Sequence, residues 1–117
     1  MFEADDIREW RGHDVNDDSG SKIGSLEALY VDTRTDEYTF ATVKVGLLSR
    51  QRLVFVPTAG AVVGPGYLKV AFPKKVVRDA PSIDTDGELL ATEEPAVFRH
   101  YDLPYDAGEN ERLLARR

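Results

Sequence analysis

The sequence predicts a mainly β fold, a small barrel or strongly bent sheet with short helices near each end. Two observations carry this. Segments in which apolar and polar residues alternate, such as Ala41-Thr42-Val43-Lys44-Val45, recur at short intervals, which is the period of a strand with one buried face. Glycine-bearing polar turns stand between them, at Asp17-Asp18-Ser19-Gly20 and Gly64-Pro65-Gly66. At 117 residues the chain forms one domain around a single core. Closing the sheet would remove aggregation-prone edges, so a barrel is preferred to an open sandwich.

Asp5 or Asp6 can cap a short helix through Ile7-Arg8-Glu9-Trp10, which Gly12 ends. A first strand at Asp14 to Asn16 leads into the turn at Asp17–Gly20, where glycine supplies a positive φ and aspartate bonds the turn backbone. The second strand runs from Lys22 to Val31, with Leu26, Ala28 and Tyr30 on one face and Ile23, Leu29 and Val31 on the other. Gly24 inside it marks a bulge or a close backbone approach. After Arg34–Glu37 comes a third strand, Tyr38 to Val45, ended by Gly46. The fourth, Arg52 to Pro57, is apolar on both faces and so belongs at the centre. Ala61 to Val63 and Tyr67 to Phe72 form a further strand–turn–strand.

Beyond Pro73, Lys74 to Asp79 make about one helical turn, stopped by Ala80-Pro81. Asp84–Gly87 is a turn. Thr92 can cap a helix with Pro95 in its first turn, reaching Tyr101. The chain thus divides into an N-terminal helix (1–11), a barrel core (12–81), a C-terminal extension with a helix (82–103) and a peripheral tail (104–117). In the tail, Glu109 to Arg116 can form a last helix.

In their order and spacing, several pieces resemble the PRC-barrel family: Gly12-x-x-Val15, Asp17/Asp18-x-Gly20-x-x-Ile23-Gly24, Val31-Asp32, Ala41-Thr42-Val43-x-x-Gly46 and Phe55-Val56-Pro57. That family includes the cytoplasmic barrel of the photosynthetic reaction centre H subunit and a similar barrel in a ribosome-maturation factor. Lys75-x-Val77-x-x-Ala80-Pro81-Ser82-Ile83-Asp84, Glu93-Glu94 and Arg99-His100-Tyr101 are similar to its free-standing bacterial members. The resemblance implies a six-stranded PRC-type β-barrel and a role in protein contact or assembly. It implies no catalytic residues, because the family shares no active site. The transmembrane helix of the reaction-centre subunit and the second barrel of the ribosome factor have no counterpart here, so neither role carries over.

Composition narrows the function further. There are no cysteines, which excludes disulfides, thiolate catalysis and cysteine-based metal sites. The N-terminus is acidic without an apolar core, and no apolar run approaches the ~20 residues of a membrane span. A cytoplasmic chain is expected. A net charge of −6 argues against a nucleic-acid partner.

No constellation of catalytic or metal-ligating residues emerges, and neither an enzyme nor a cofactor is expected. Asp14-x-Asn16-x-Asp18 mimics the start of a calcium loop, but Gly20 falls one place late and Ser25 stands where a bidentate acid is required. His13 and His100, the two histidines, read as structural. No Gly-x-Ser-x-Gly elbow is present. Glu93 and Glu94, adjacent on a helix, diverge. Gly60 to Gly66 lacks phosphate-loop spacing.

Charge is distributed unevenly. Residues 1–37 carry net −7, residues 38–81 net +6 and residues 82–117 net −5. Either these blocks neutralise each other within the domain, or they form a bipolar surface that selects a partner. On the second account the loop with Leu47, Leu48, Arg50 and Arg52 is the contact point, two leucines beside two arginines. The expectation is a non-enzymatic interaction or assembly module that pairs with a protein partner and forms a homodimer. A small-ligand or metal-binding stress-response protein using the barrel mouth is the alternative.

Overall fold

A long central strand organises the molecule. The computed structural model describes residues 7–47, 49–105 and 112–117. Its elements are α1 (Ile7–Trp10), β1 (Asp14–Asn16), β2 (Lys22–Asp32), β3 (Tyr38–Val45), β4 (Arg52–Pro57), β5 (Val62–Gly64), β6 (Tyr67–Lys69), α2 (Lys74–Arg78), β7 (Ser82–Asp84), a 3-10 turn at Ala91–Glu93, α3 (Glu94–His100) and β8 (Leu114–Arg116). The expected caps Asp5 and Asp6, and Leu48, lie outside the described residues.

The strands join in the order β5-β6-β1-β2-β3-β4-β7, and β8 pairs with the second half of β2. Among the described residues this makes one sheet of eight strands that does not close, where a six-stranded barrel is expected. The end strands β5 and β7 are three residues each and do not meet. Helix α3 adds apolar bulk to the core instead. Phe98 packs edge-on to Phe40 at 5.0 Å and Tyr101 to Phe72 at 4.9 Å. The Tyr101 hydroxyl donates to the Phe55 carbonyl at 2.6 Å, and burial pushes this phenol's pKa up.

Strand β2 departs from simple alternation. Leu26 lies opposite Val43 and Ala28 opposite Thr42, which leaves Glu27 as an extra residue. A bulge of this kind interrupts the two-residue period. Ala28 to Asp32 are then all buried. Gly24 is the expected close approach: a Cβ there would stand 2.1 Å from the Lys44 carbonyl oxygen. Strand β4, paired on both edges, has Leu53 to Pro57 buried, as its composition requires.

The tail differs most from expectation. Its described part, 112–117, is not a helix or a frayed end but strand β8, with Leu113 and Leu114 each 1% exposed. Glu94, fully buried, accepts from the Leu113 amide at 2.7 Å, the Leu114 amide at 3.3 Å and the Tyr105 hydroxyl at 2.8 Å. Burial, with the Glu94 hydrogen bond adding to it, raises the Tyr105 pKa to about 12. A second tie comes from the β2 bulge, where Glu27 accepts from the Thr42 hydroxyl at 2.7 Å and pairs with Arg116. Thr92 does not cap α3; the 3-10 turn precedes the helix, and the Glu93 carboxylate accepts from the Leu90 amide at 3.3 Å.

Candidate functional site

The loop joining β3 to β4 is held in a defined shape. Gly46 has φ +102°, and a Cβ there would lie 2.4 Å from the Arg50 carbonyl oxygen, so only glycine fits. The Arg50 amide donates to the Leu47 carbonyl at 2.8 Å and closes the turn. Leu47 is consequently presented to solvent at 81% exposure, the highest of the large apolar residues described.

Beside this loop lies a polar groove of about 570 Å³, lined among others by Lys22, Lys44, Leu47, Arg52 and Arg78. Three separated stretches of sequence supply its cations: the start of β2, the strand ends flanking the β3–β4 turn and the end of α2. The Arg52 guanidinium donates from Nη2 to the Arg78 carbonyl at 2.6 Å, and Arg78 donates from Nη2 to the Ile23 carbonyl at 3.4 Å. These bonds fix the two arginines without neutralising them.

The ion pairs bear on the two accounts of the charge blocks. Among the described residues five form: Lys22–Asp14, Arg34–Asp32, Arg112–Glu94, Arg116–Glu27 and Arg117–Asp36. None of their cations belongs to residues 38–81. Lys44, Arg50, Arg52, Lys69, Lys74, Lys75 and Arg78 are all outside this set, so among the described residues no contact pair neutralises the basic segment.

Of the four residues expected at the contact point, Leu47 and Arg50 are exposed and adjacent across the closed turn. Arg52 is half-buried and committed to the end of α2. Leu48 lies outside the described residues. Lys22 and Arg78 carried no sign in the sequence of joining them, being 20 or more positions from the loop.

Asp17 anchors the helix that carries Arg78. Its Oδ1 accepts from the Ser19 hydroxyl at 2.8 Å and from the Ser19 and Ser21 amides, and its Oδ2 accepts from the Lys74 amide at 3.2 Å. The Ser19 hydroxyl above all, opposed by burial, holds this carboxyl below its ordinary 3.8. Arg34 does the same for Asp32, again against burial. Both folded pKa values lie below the unfolded ones, so their stabilisation is complete above the unfolded pKa and is lost as pH falls through the folded value. The expected result is a urea midpoint that drops between roughly pH 5 and pH 2. Asp17→Asn and Asp32→Asn should lower it at pH 7 and converge with wild type in acid; a gap independent of pH would contradict this.

The two histidines join no cluster of metal-ligating side chains among the described residues. The His100 ring Nε2 bonds the Val76 carbonyl at 2.7 Å, linking α3 to α2. Asp14, the first position of the calcium-like stretch, pairs with Lys22 at 3.1 Å, and Asp17 is spent on its own turn. Among the described residues, no three His, Asp or Glu side chains are placed to share an ion.

A second concavity, of about 580 Å³, lies at the opposite end of β3 and β4, between Tyr38–Phe40, the turn after Pro57 and the segment following α3. Its walls are largely apolar, with Phe40 and Phe98 at the base and Leu103 and Pro104 at the side. Among its described lining residues Glu37 alone is charged.

The model of the PRC-barrel domain family matches residues 2–77, about two thirds of the chain. Of the likeness to free-standing members, Lys75 and Val77 lie within the matched stretch and the rest, Ala80 to Tyr101, beyond it. A search of curated proteins finds no match. No described helix is long and apolar enough to cross a membrane.

Proposed function

The chain belongs to the PRC-barrel domain family, and from that premise we propose that it is a non-enzymatic protein-interaction and assembly module of the cytoplasm, self-associating through the β3–β4 loop. PRC-barrel domains are often protein-interaction modules. The observation that carries the reading is the cationic surface around Leu47, where Lys44, Arg50, Arg52 and Arg78 form no ion pair among the described residues. An exposed apolar residue beside cations that are mostly unpaired among the described residues suits docking to an acidic protein surface better than it suits catalysis. The rest of the chain is net acidic, so a second copy offers such a surface. The same net charge disfavours nucleic acid. The alternative, a small-ligand or metal-binding protein using the barrel mouth, draws less support from a sheet that does not close among the described residues.

Light scattering and crosslinking over a concentration series test the proposal. Mass should rise with concentration and fall with added salt, because exposed charges are screened over about 10 Å at 0.1 M. Leu47→Asp combined with Arg50→Glu should reduce association at least about tenfold. A strict monomer at every concentration and salt would overturn self-association. A salt-sensitive gel shift with duplex DNA would move the basic groove to another function.

A further inference from the structure

The knob and the apolar groove sit at opposite ends of one hairpin. The β3–β4 ladder runs from Phe40↔Pro57 beside the groove to Val45↔Arg52 beside the loop. Five residue steps separate the two, roughly 17 Å. One end presents Leu47 with Arg50. The other offers a concavity of about 580 Å³ with apolar walls, no lining cation among the described residues, and Glu37 exposed at its edge. One end thus projects a leucine beside a cation and the other offers an apolar concavity beside an acid, and a chain cannot join its own two ends across a rigid ladder.

Resting on the self-association reading, we infer that the copies assemble head to tail. Leu47 of one copy seats in the groove of the next, and Arg50 meets Glu37 at the rim. The contact joins unlike surfaces, so it is heterologous. Each added copy leaves one free knob and one free groove, and assembly continues past the dimer into a ring or an open filament. The bond from the Arg50 amide to the Leu47 carbonyl fixes the backbone on either side of the knob beforehand, which limits the ordering cost of docking.

Sedimentation velocity on the full chain tests this with two single variants. Leu47→Asp removes the knob; Ala59→Glu, in the exposed turn beside the groove, obstructs the socket. Each should weaken association at least about tenfold. Mixed in equal amounts they should form a species of two copies that grows no further, because one intact knob meets one intact socket. Matching thermal melts establish that both fold. As a second readout, Glu37→Lys and Arg50→Glu should each weaken association, and the two together in one chain should restore it.

Self-association that survives Ala59→Glu but not Leu47→Asp would overturn the head-to-tail contact while leaving the assembly reading intact. So would a mixture that stays monomeric. A small apolar compound that stabilises wild type but not Ala59→Glu, with assembly unaffected by either, would assign the groove to a ligand instead. A wild-type chain that never associates would overturn both readings.

Discussion

Glu94→Ala is expected to destabilise this domain by about 3–5 kcal/mol, a large part of the ~5–15 kcal/mol a domain of this size holds. The carboxylate is fully buried and accepts three hydrogen bonds, from the Leu113 and Leu114 amides and the Tyr105 hydroxyl, with Arg112 3.8 Å away. Alanine leaves these buried donors without an acceptor and also opens a void. Glu94→Gln keeps the volume and one acceptor oxygen, so it should cost less. Tyr105→Phe, which removes one bond, should cost only about 1 kcal/mol. Urea unfolding measures all three, and amide exchange should show β8 opening first in Glu94→Ala. An Ala variant within about 0.5 kcal/mol of wild type, inside the range of ordinary surface changes, would mean that β8 does not depend on this carboxylate.

Phe40→Ala is the second large effect, about 3–5 kcal/mol. Phe40 is 1% exposed and joins the sheet to α3, its ring 5.0 Å from that of Phe98 and 6.4 Å from that of Tyr101. Its loss removes buried area and two aromatic contacts, each worth about 0.5–1.5 kcal/mol beyond burial. Phe40→Leu retains much of the volume and should cost clearly less. Loss of near-ultraviolet circular dichroism at a temperature where the far-ultraviolet signal persists would show the helix layer loosening from the sheet. If Ala and Leu cost the same, packing at this position is not what holds α3.

Local chemistry made much of the sheet legible. The third and fourth strands lie where alternation and the continuous apolar run place them, Tyr38–Val45 and Arg52–Pro57. Gly20 and Gly46 take the positive φ that their turns require, and Gly24 is where two backbones nearly touch. Strands β7 and β8 left no such trace. Ser82-Ile83-Asp84 and Leu114-Ala115-Arg116 are too short to show a period, and each is a strand only because a longer neighbour offers an edge. Glu94 is equally silent: beside Glu93 it reads as one of two surface acids, and only the return of the tail makes it an anchor.

The candidate site divides the same way. Leu47 and Arg50 were readable from a loop that sets apolar and basic residues together after a glycine. Arg52 looked equivalent, yet folding turned it onto the Arg78 carbonyl. Charge blocks are visible in any sequence, but whether they cancel depends on which side chains meet in space. Here the five described ion pairs bypass the basic segment.

By itself, then, the sequence determined the longer strands and the turns, because these follow from interactions between residues close along the chain, and the order of its motifs and its composition carried the family and the uneven charge. Among the described residues, the open sheet, the anchored C-terminal strand, the basic segment left outside the ion pairs and the apolar groove at the far end of the hairpin were decided only in the tertiary structure. Each depends on contacts between residues tens of positions apart, whose partners no local pattern can name.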